Sequence, residues 1–437
     1  MKILFFPSDI GGGFGHVSRC FALAEEAKNN GHICAFVLND KKFVGRIGSN
    51  FNVSLVKTWE PFKHRLKRSI SFLKDRSNNK KSLYLGISGI EFQFIRDGFV
   101  CHSAIEHTLK GYAKVVQDFK PDVLVGDTNL LVWILSRIVR IPAVQIVRYA
   151  SHPDTANMVW WMDVPKGISP PNICQIFNPL MKRLGLDVIG VASDLLRGDL
   201  YIVPSIPDIE PIPCGLIDTH HVGALLMPSK EVIDNSAFSF PDRTMPLIYM
   251  TIGGGAGPVG NQKLFSSIIS AMGGYPAQVV ISTAAKFDWR RISYLPPNVR
   301  FFDWLPGAYM ISMADLVIFH GGYGTMMEIV TSGKPSIVIP FHSEQESNGR
   351  RLERLGSAQV LKLSKEPYST VNVKESWGEY SYVVQQSYDL SDKQLIDAVE
   401  VILSGSEFLE SAKKLQYTAQ GYGGVKLAME MIESRFG

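Results

Sequence analysis

Along the chain, short apolar runs alternate with glycine-rich or polar loops and then with segments of helical periodicity. Lys2 to Pro7 and Ile33 to Leu38 are almost wholly apolar, and between them Val17 to Asn29 carries apolar residues at helical spacing and stops at Gly31. Pro121 to Asp127, the helical Leu130 to Val139 and Ala143 to Val147 repeat the pattern. A strand without polar alternation is buried on both faces, as in a parallel sheet covered by helices. The opening is therefore a βαβ unit of a doubly wound α/β sheet.

The pattern stops at the proline-dense Ser205 to Pro213 and restarts with Pro246 to Thr251, Gln278 to Ser282, Leu316 to Phe319 and Ser336 to Ile339. This divides the chain into a first domain over 1–225, a linker over 226–245, a second domain over 246–420 and a closing helix over 421–437. Residues 57–120 are longer and less regular than a crossover needs, and residues 364–390 have no place in the pattern.

Composition narrows the class. The chain has 437 residues, of which 46% are hydrophobic and 20% charged, so core material is ample for two or three domains. A net charge of +4 is too small to argue for a nucleic-acid partner. Five cysteines, Cys20, Cys34, Cys101, Cys174 and Cys214, lie scattered with no C-x-x-C pair, which fits a reducing cytoplasm. Met1 to Asp9 reads as a first strand rather than a signal peptide, and no apolar run reaches membrane-spanning length. Lys63 to Lys81 carries eight Lys or Arg against one Asp. Such a run is ordinarily a solvated face; interleaved with Leu66, Ile70, Phe72 and Leu73 it also reads as a basic amphipathic helix for peripheral contact with an anionic membrane or an acidic acceptor.

The richest chemistry lies at the end of Leu316 to Phe319. His320-Gly-Gly-Tyr-Gly-Thr325 forms a tight glycine turn, and Met326, Met327 and Glu328 open a helix. A turn of this kind aims unpaired amides and a helix dipole at one point, where a phosphate fits. Thr325-x-x-Glu328 is equally a capping box. The next strand ends in Pro340, Glu344, Gln345 and Asn348, which adds a carboxylate and two amides to the same sheet edge.

His320-Gly-Gly-x-Gly-Thr325-x-x-Glu328, Gly333-x-Pro335, Pro340 and Glu344-Gln345-x-x-Asn348 together resemble the donor-binding signature of the UDP-glycosyltransferase superfamily. The resemblance implies the glycosyltransferase B (GT-B) fold, two Rossmann-like doubly wound α/β domains facing across a cleft. Gly11 to His16 resembles that family's opening Gly-His loop, in which the histidine takes the proton from the acceptor hydroxyl. An imidazole near neutrality suits this task; capping the next helix or touching a phosphate are the plainer readings of His16. Asp127, at a strand's carboxyl end, matches the family's second catalytic position and would orient His16; capping the next helix is its alternative. By the same resemblance residues 57–120 and 151–200, with Trp160-Trp161, wall the acceptor side.

The remaining donor contacts follow from the resemblance. His320 and the amides around Gly322, Gly324 and Thr325 would hold the leaving diphosphate, Glu328 the ribose, and Glu344 with Gln345 the sugar hydroxyls, with Asn348 a further donor-binding residue. Gly15, Gly254 and Gly255 would bring backbone to the donor, Ser282 would hydrogen-bond the nucleotide, and Trp304 with the Leu305 backbone would hold the base. The family often has Gln where this chain has Gly307, so UDP is favoured over dTDP only modestly.

The expectation is an inverting transfer of a hexose-type sugar to a hydroxyl of a small-molecule, lipid or glycan acceptor. The nucleotide sugar is a co-substrate, and neither cofactor nor metal is expected, since no Asp-x-Asp pair is present. The rivals are a nucleotide-sugar hydrolase, to which Gly-His-Val-Ser-Arg19 is somewhat similar, and a non-catalytic nucleotide-sugar-binding partner.

Overall fold

The computed structural model describes residues 1–10, 13–58, 82–155, 164–227, 244–253, 261–285 and 287–437. The basic run Lys63 to Lys81, the Trp160-Trp161 pair, Gly254, Gly255 and most of the expected linker lie outside the described residues.

In chain order the strands are β1 (Lys2–Pro7), β2 (Ile33–Leu38), β3 (Asn52–Leu55), β4 (Tyr84–Gly86), β5 (Val123–Asp127), β6 (Ala143–Ile146), β7 (Leu200–Val203) and β8 (Thr219–His221). There follow β9 (Leu247–Thr251), β10 (Gln278–Ser282), β11 (Val299–Phe302), β12 (Leu316–Phe319), β13 (Ser336–Val338), β14 (Ala358–Val360), β15 (Ser369–Glu375) and β16 (Gly378–Gln385). The first sheet has the order β3-β2-β1-β5-β6-β7-β8 and the second β11-β10-β9-β12-β13-β14. Both are parallel throughout. These are the two doubly wound domains of the GT-B fold.

Apolar strands are needed because each strand feeds two cores. Ile3, Phe5 and Phe36 point into the layer under the helix Gly15–Asn29, while Leu4, Phe6 and Val37 point into the opposite layer with Leu109, Tyr112 and Leu135. The second sheet divides in the same way. Ala428, Met429 and Ile432 of the last helix, Val425–Phe436, join the first sheet's core, so the chain's end crosses back to the domain in which it began.

Topology then sets the site. In each sheet the chain runs outward from the central strand and returns to its other side, so the loops after β1 and β5, and after β9 and β12, part at a switch point where ligands of such sheets bind. Pro7 pairs with Asp127 and Phe319 with Thr251, which aligns those strand ends.

Residues 364–390, unassigned from the pattern, contain the antiparallel hairpin β15–β16. It extends from the second domain and pairs with β4 of the first in a separate three-stranded sheet. Leu85 N–H also donates to Phe341 O at 3.0 Å, so β4 is held by the second domain on both edges.

Candidate active site

His16 lies in the first turn of the helix Gly15–Asn29, just beyond β1. Its Nδ1 is 2.7 Å from Oδ1 of Asp127, the last residue of β5. Neither helix-capping reading is realised. Phe14 precedes the first helix with no side-chain cap, and the helix after β5 begins at Val132, where Asn129 Oδ1 accepts the Leu131 N–H at 3.1 Å.

Arg19, one turn along the same helix, completes a triangle. Its Nε and Nη2 donate to Asp127 Oδ2 and Oδ1, each at 2.8 Å, and Nη2 is also 2.8 Å from His16 Nδ1. Burial pushes the Asp127 carboxyl up, but Arg19 and then His16 outweigh it and hold the group down to about 2. The ionised carboxylate and the guanidinium compete for His16 Nδ1. A proton on Nδ1 donates to Asp127 and leaves the Nε2 lone pair for an incoming hydroxyl; a proton on Nε2 makes Nδ1 the acceptor for Arg19. The first tautomer is the base-competent one.

The second domain supplies an anion cradle. The helix Tyr323–Ser332 starts after Gly322, with no side-chain cap, so the Thr325–Glu328 capping box does not form. Its first helical bond runs from Met326 N–H to Gly322 O at 2.9 Å, which leaves the preceding amides of Tyr323, Gly324 and Thr325 at the helix end. A Cβ at Gly324 would meet nothing within 4 Å. Gly322 and Gly253 instead clasp the His320 ring: a Cβ would fall 2.3 Å from Nε2 and 2.4 Å from Cε1 respectively, and Gly253 also has a φ of +66°.

Glu328 sits further along this helix, and a Cβ on Gly307 would lie 3.5 Å from its Oε2. Burial pushes its carboxyl up to about 7. Trp304, 55% exposed, presents its indole three residues before Gly307, while Leu305 is buried. Base, ribose and diphosphate contacts expected from the resemblance thus fall on one rim.

The two halves meet across this cleft. The Arg19 guanidinium carbon is 5.5 Å from the Tyr323 ring centroid. Glu344, 41% of whose side chain is exposed, opens the helix Ser343–Arg354, and its Oε1 accepts from Arg148 Nη1 of the first domain at 2.7 Å. Burial favours its neutral form, but Arg148, His342 and His16 outweigh burial and hold it down to about 2.

Three of the expected donor residues also hydrogen-bond the scaffold. Gln345 Oε1 accepts the Phe341 N–H at 2.8 Å, Asn348 Nδ2 donates to Gly321 O at 2.8 Å, and buried Ser282 hydrogen-bonds the Tyr249 hydroxyl. Gly15 lies at the start of the His16 helix, and a Cβ there would meet only Arg19 Nη1 at 3.9 Å.

Sequence alone assigns no role to Arg148, Glu210, Arg351 or the Tyr323 ring, and offers Arg19 only as a likeness to the hydrolases. For Arg19 a signal existed, since a residue at i+3 shares a helix face with His16. Among the described residues no group of three or more His, Cys, Asp or Glu is placed to hold a metal, and no helix is long and apolar enough to cross a membrane. An open pocket of about 600 Å³ under the hairpin tip, lined by Val100, His102, Ile176 and Trp377 among others, includes none of the candidate site residues.

Two facing doubly wound domains, with a histidine–aspartate pair on one rim and a phosphate-suited helix end on the other, define a glycosyltransferase of the GT-B fold. Residues 266–414 match the family model "Erythromycin biosynthesis protein CIII-like, C-terminal domain". A PGL/p-HBAD biosynthesis glycosyltransferase of Mycobacterium tuberculosis is 24% identical over 331 residues, covering 71% of this chain and 69% of that protein. The glycosyltransferase of kitacinnamycin superposes with a TM-score of 0.71 at 17% identity, covering 100% of this chain and 98% of the other. The spinosyn rhamnosyltransferase SpnG, solved with thymidine diphosphate, superposes with a TM-score of 0.65 at 16% identity, covering 99% and 100%. In sequence and fold the chain is similar to glycosyltransferases of the UDP-glycosyltransferase superfamily.

Proposed function

We propose that this protein transfers a hexose-type sugar, with inversion, from a UDP- or dTDP-sugar to a hydroxyl of a small-molecule, lipid or glycan acceptor. The observation that carries this reading is the convergence of His16–Asp127 with Glu344 and the Tyr323 helix end in one cleft. His16 Nε2 takes the hydroxyl proton as the oxygen attacks the anomeric carbon, and the bond to the diphosphate breaks on the opposite face. His320 and the amides of Tyr323 to Thr325 receive the charge that develops on the leaving group. The dTDP option is supported by the SpnG complex with thymidine diphosphate. The test is a panel of UDP and dTDP sugars with mixed hydroxyl acceptors: glycoside with inverted anomeric configuration is expected. Release of free sugar at the same rate without acceptor would show a hydrolase instead.

Helix amides and an imidazole do the neutralising here, so EDTA is expected to leave turnover unchanged. Loss on chelation that manganese restores would defeat the metal-independent part of the proposal.

Glu328 gives a pH signature. If its carboxylate accepts the ribose hydroxyls, binding favours the ionised form, and affinity for the nucleotide sugar rises as pH passes from about 6 to about 8 through the group's own titration. The phosphodiesters of such a donor do not titrate in that range, and the share of Glu328 is what its substitution removes from the calorimetric profile. Glu328→Gln should flatten the profile, and an unchanged slope in that variant would remove Glu328 from the donor site.

A further inference from the structure

The first domain reaches the donor side through one arginine whose every arm is engaged. Arg148, two residues past β6, donates from Nε to Glu210 Oε1 at 2.8 Å, from Nη1 to Glu344 Oε1 at 2.7 Å and from Nη2 to Asn348 Oδ1 at 2.6 Å. Its guanidinium carbon lies 3.7 Å from the Tyr323 ring centroid. Asn348 passes the contact on to Gly321 O, and Tyr323 opens the helix that faces the diphosphate. Glu210 is itself fixed by Arg351 at 2.9 Å and by the Tyr149 N–H at 2.8 Å, so the clamp rests on a buried network rather than a loose side chain.

We infer that Arg148 is a positioning residue for the donor sugar: it holds one oxygen of Glu344 so that the other is presented to the sugar hydroxyls, in register with His16. This rests on the proposed role of Glu344 as the sugar-binding carboxylate. Three of the five Arg148 N–H donors and the guanidinium face are engaged by protein, which fits a positioning residue rather than a ligand. Glu344 Oε2 accepts no hydrogen bond among the described residues, and the side chain is partly open to the cleft. A planar fork is required: three acceptors in one plane over an aromatic ring suit a guanidinium, and an ammonium cannot serve them together. Sugar recognition thus becomes a property of both domains, although every sugar-side residue expected from the resemblance lies in the second.

The test compares a bare nucleoside diphosphate with its sugar by calorimetry, using UDP with UDP-glucose and dTDP with dTDP-rhamnose, on wild type, Arg148→Met, Arg148→Lys, Glu344→Gln and Arg148→Met/Glu344→Gln. The expected result is that Arg148→Met lowers affinity for the nucleotide sugar about tenfold or more, as for loss of a charge-assisted hydrogen bond, while the bare diphosphate binds as before. Arg148→Lys, which keeps the charge and so protects the fold, should show the same selective loss. The double variant should be no worse than Glu344→Gln alone. Equal weakening of diphosphate and sugar conjugate would overturn the inference, since that is the mark of a merely structural residue. So would retention of the sugar's contribution in both Arg148 variants when Glu344→Gln loses it. A wild-type protein for which the sugar adds nothing overturns the Glu344 assignment first, and the clamp with it.

Discussion

His16→Ala is expected to lower turnover of nucleotide sugar plus acceptor by roughly 10²- to 10⁴-fold, the contribution of a positioned general base, with donor affinity little changed. The separation follows from the architecture. His16 stands on the first domain's rim, whereas the diphosphate and ribose contacts proposed above stand on the second. Alanine leaves Asp127 paired with Arg19 through both oxygens, so the fold and the anion cradle keep their partners. Steady-state kinetics with calorimetric donor binding distinguish the outcomes. A fall in donor affinity as large as the fall in turnover would make His16 a binding residue, and unchanged turnover would remove it from the chemical step.

Arg19→Met is expected to cost about 3–5 kcal/mol of first-domain stability, the range for removing one partner of a buried ion pair. Asp127 is fully buried and Arg19 nearly so, so solvent screens the pair little. Methionine fills the stem's volume but leaves a buried carboxylate facing only His16 and Thr128. Replacing both partners, Arg19→Met with Asp127→Leu, should recover much of the loss, because no charge is then stranded. Urea unfolding followed by first-domain fluorescence reads the difference, and a cost below about 1 kcal/mol would show that the pair is far better solvated than its burial implies. The pH dependence has a definite sign. Asp127 is held at about 2 in the folded protein against an ordinary 3.8, so its contribution is present above that ordinary value and is lost as pH falls towards about 2.

The positions legible in the sequence share one property: they lie at the ends of strands whose neighbours topology dictates. Once β1 and β5 are known to be apolar parallel strands of one sheet, a residue just beyond the first and the last residue of the second must share an edge; topology thus brings His16 and Asp127 together, and the resemblance to the family's loop and second catalytic position singles them out. The glycine turn is legible for a related reason. Its residue types record what the backbone does there, and the clash of any Cβ at Gly322 with His320 shows why no larger residue stands in that place.

The illegible positions are those whose partner is chosen by tertiary packing. Gln345 and Asn348 have the chemistry expected for the donor, and packing gives each a further use that the pattern does not show: Gln345 Oε1 accepts from its own turn, and Asn348 ties the glycine loop to Arg148. The hairpin β15–β16 is ordinary in pattern, and nothing local to it names β4, from the other domain, as its third strand.

By itself, then, the order of residues determined two doubly wound domains, the strand-end positions of the histidine–aspartate pair and the anion-suited helix tip, because periodicity and glycine chemistry act over a few neighbouring residues. Only the tertiary structure decided that Arg19 shares Asp127 with His16, and that Arg148 crosses the cleft to hydrogen-bond Glu344. Those pairings span long stretches of chain and depend on how two rigid bodies come to rest against each other, which no local pattern encodes.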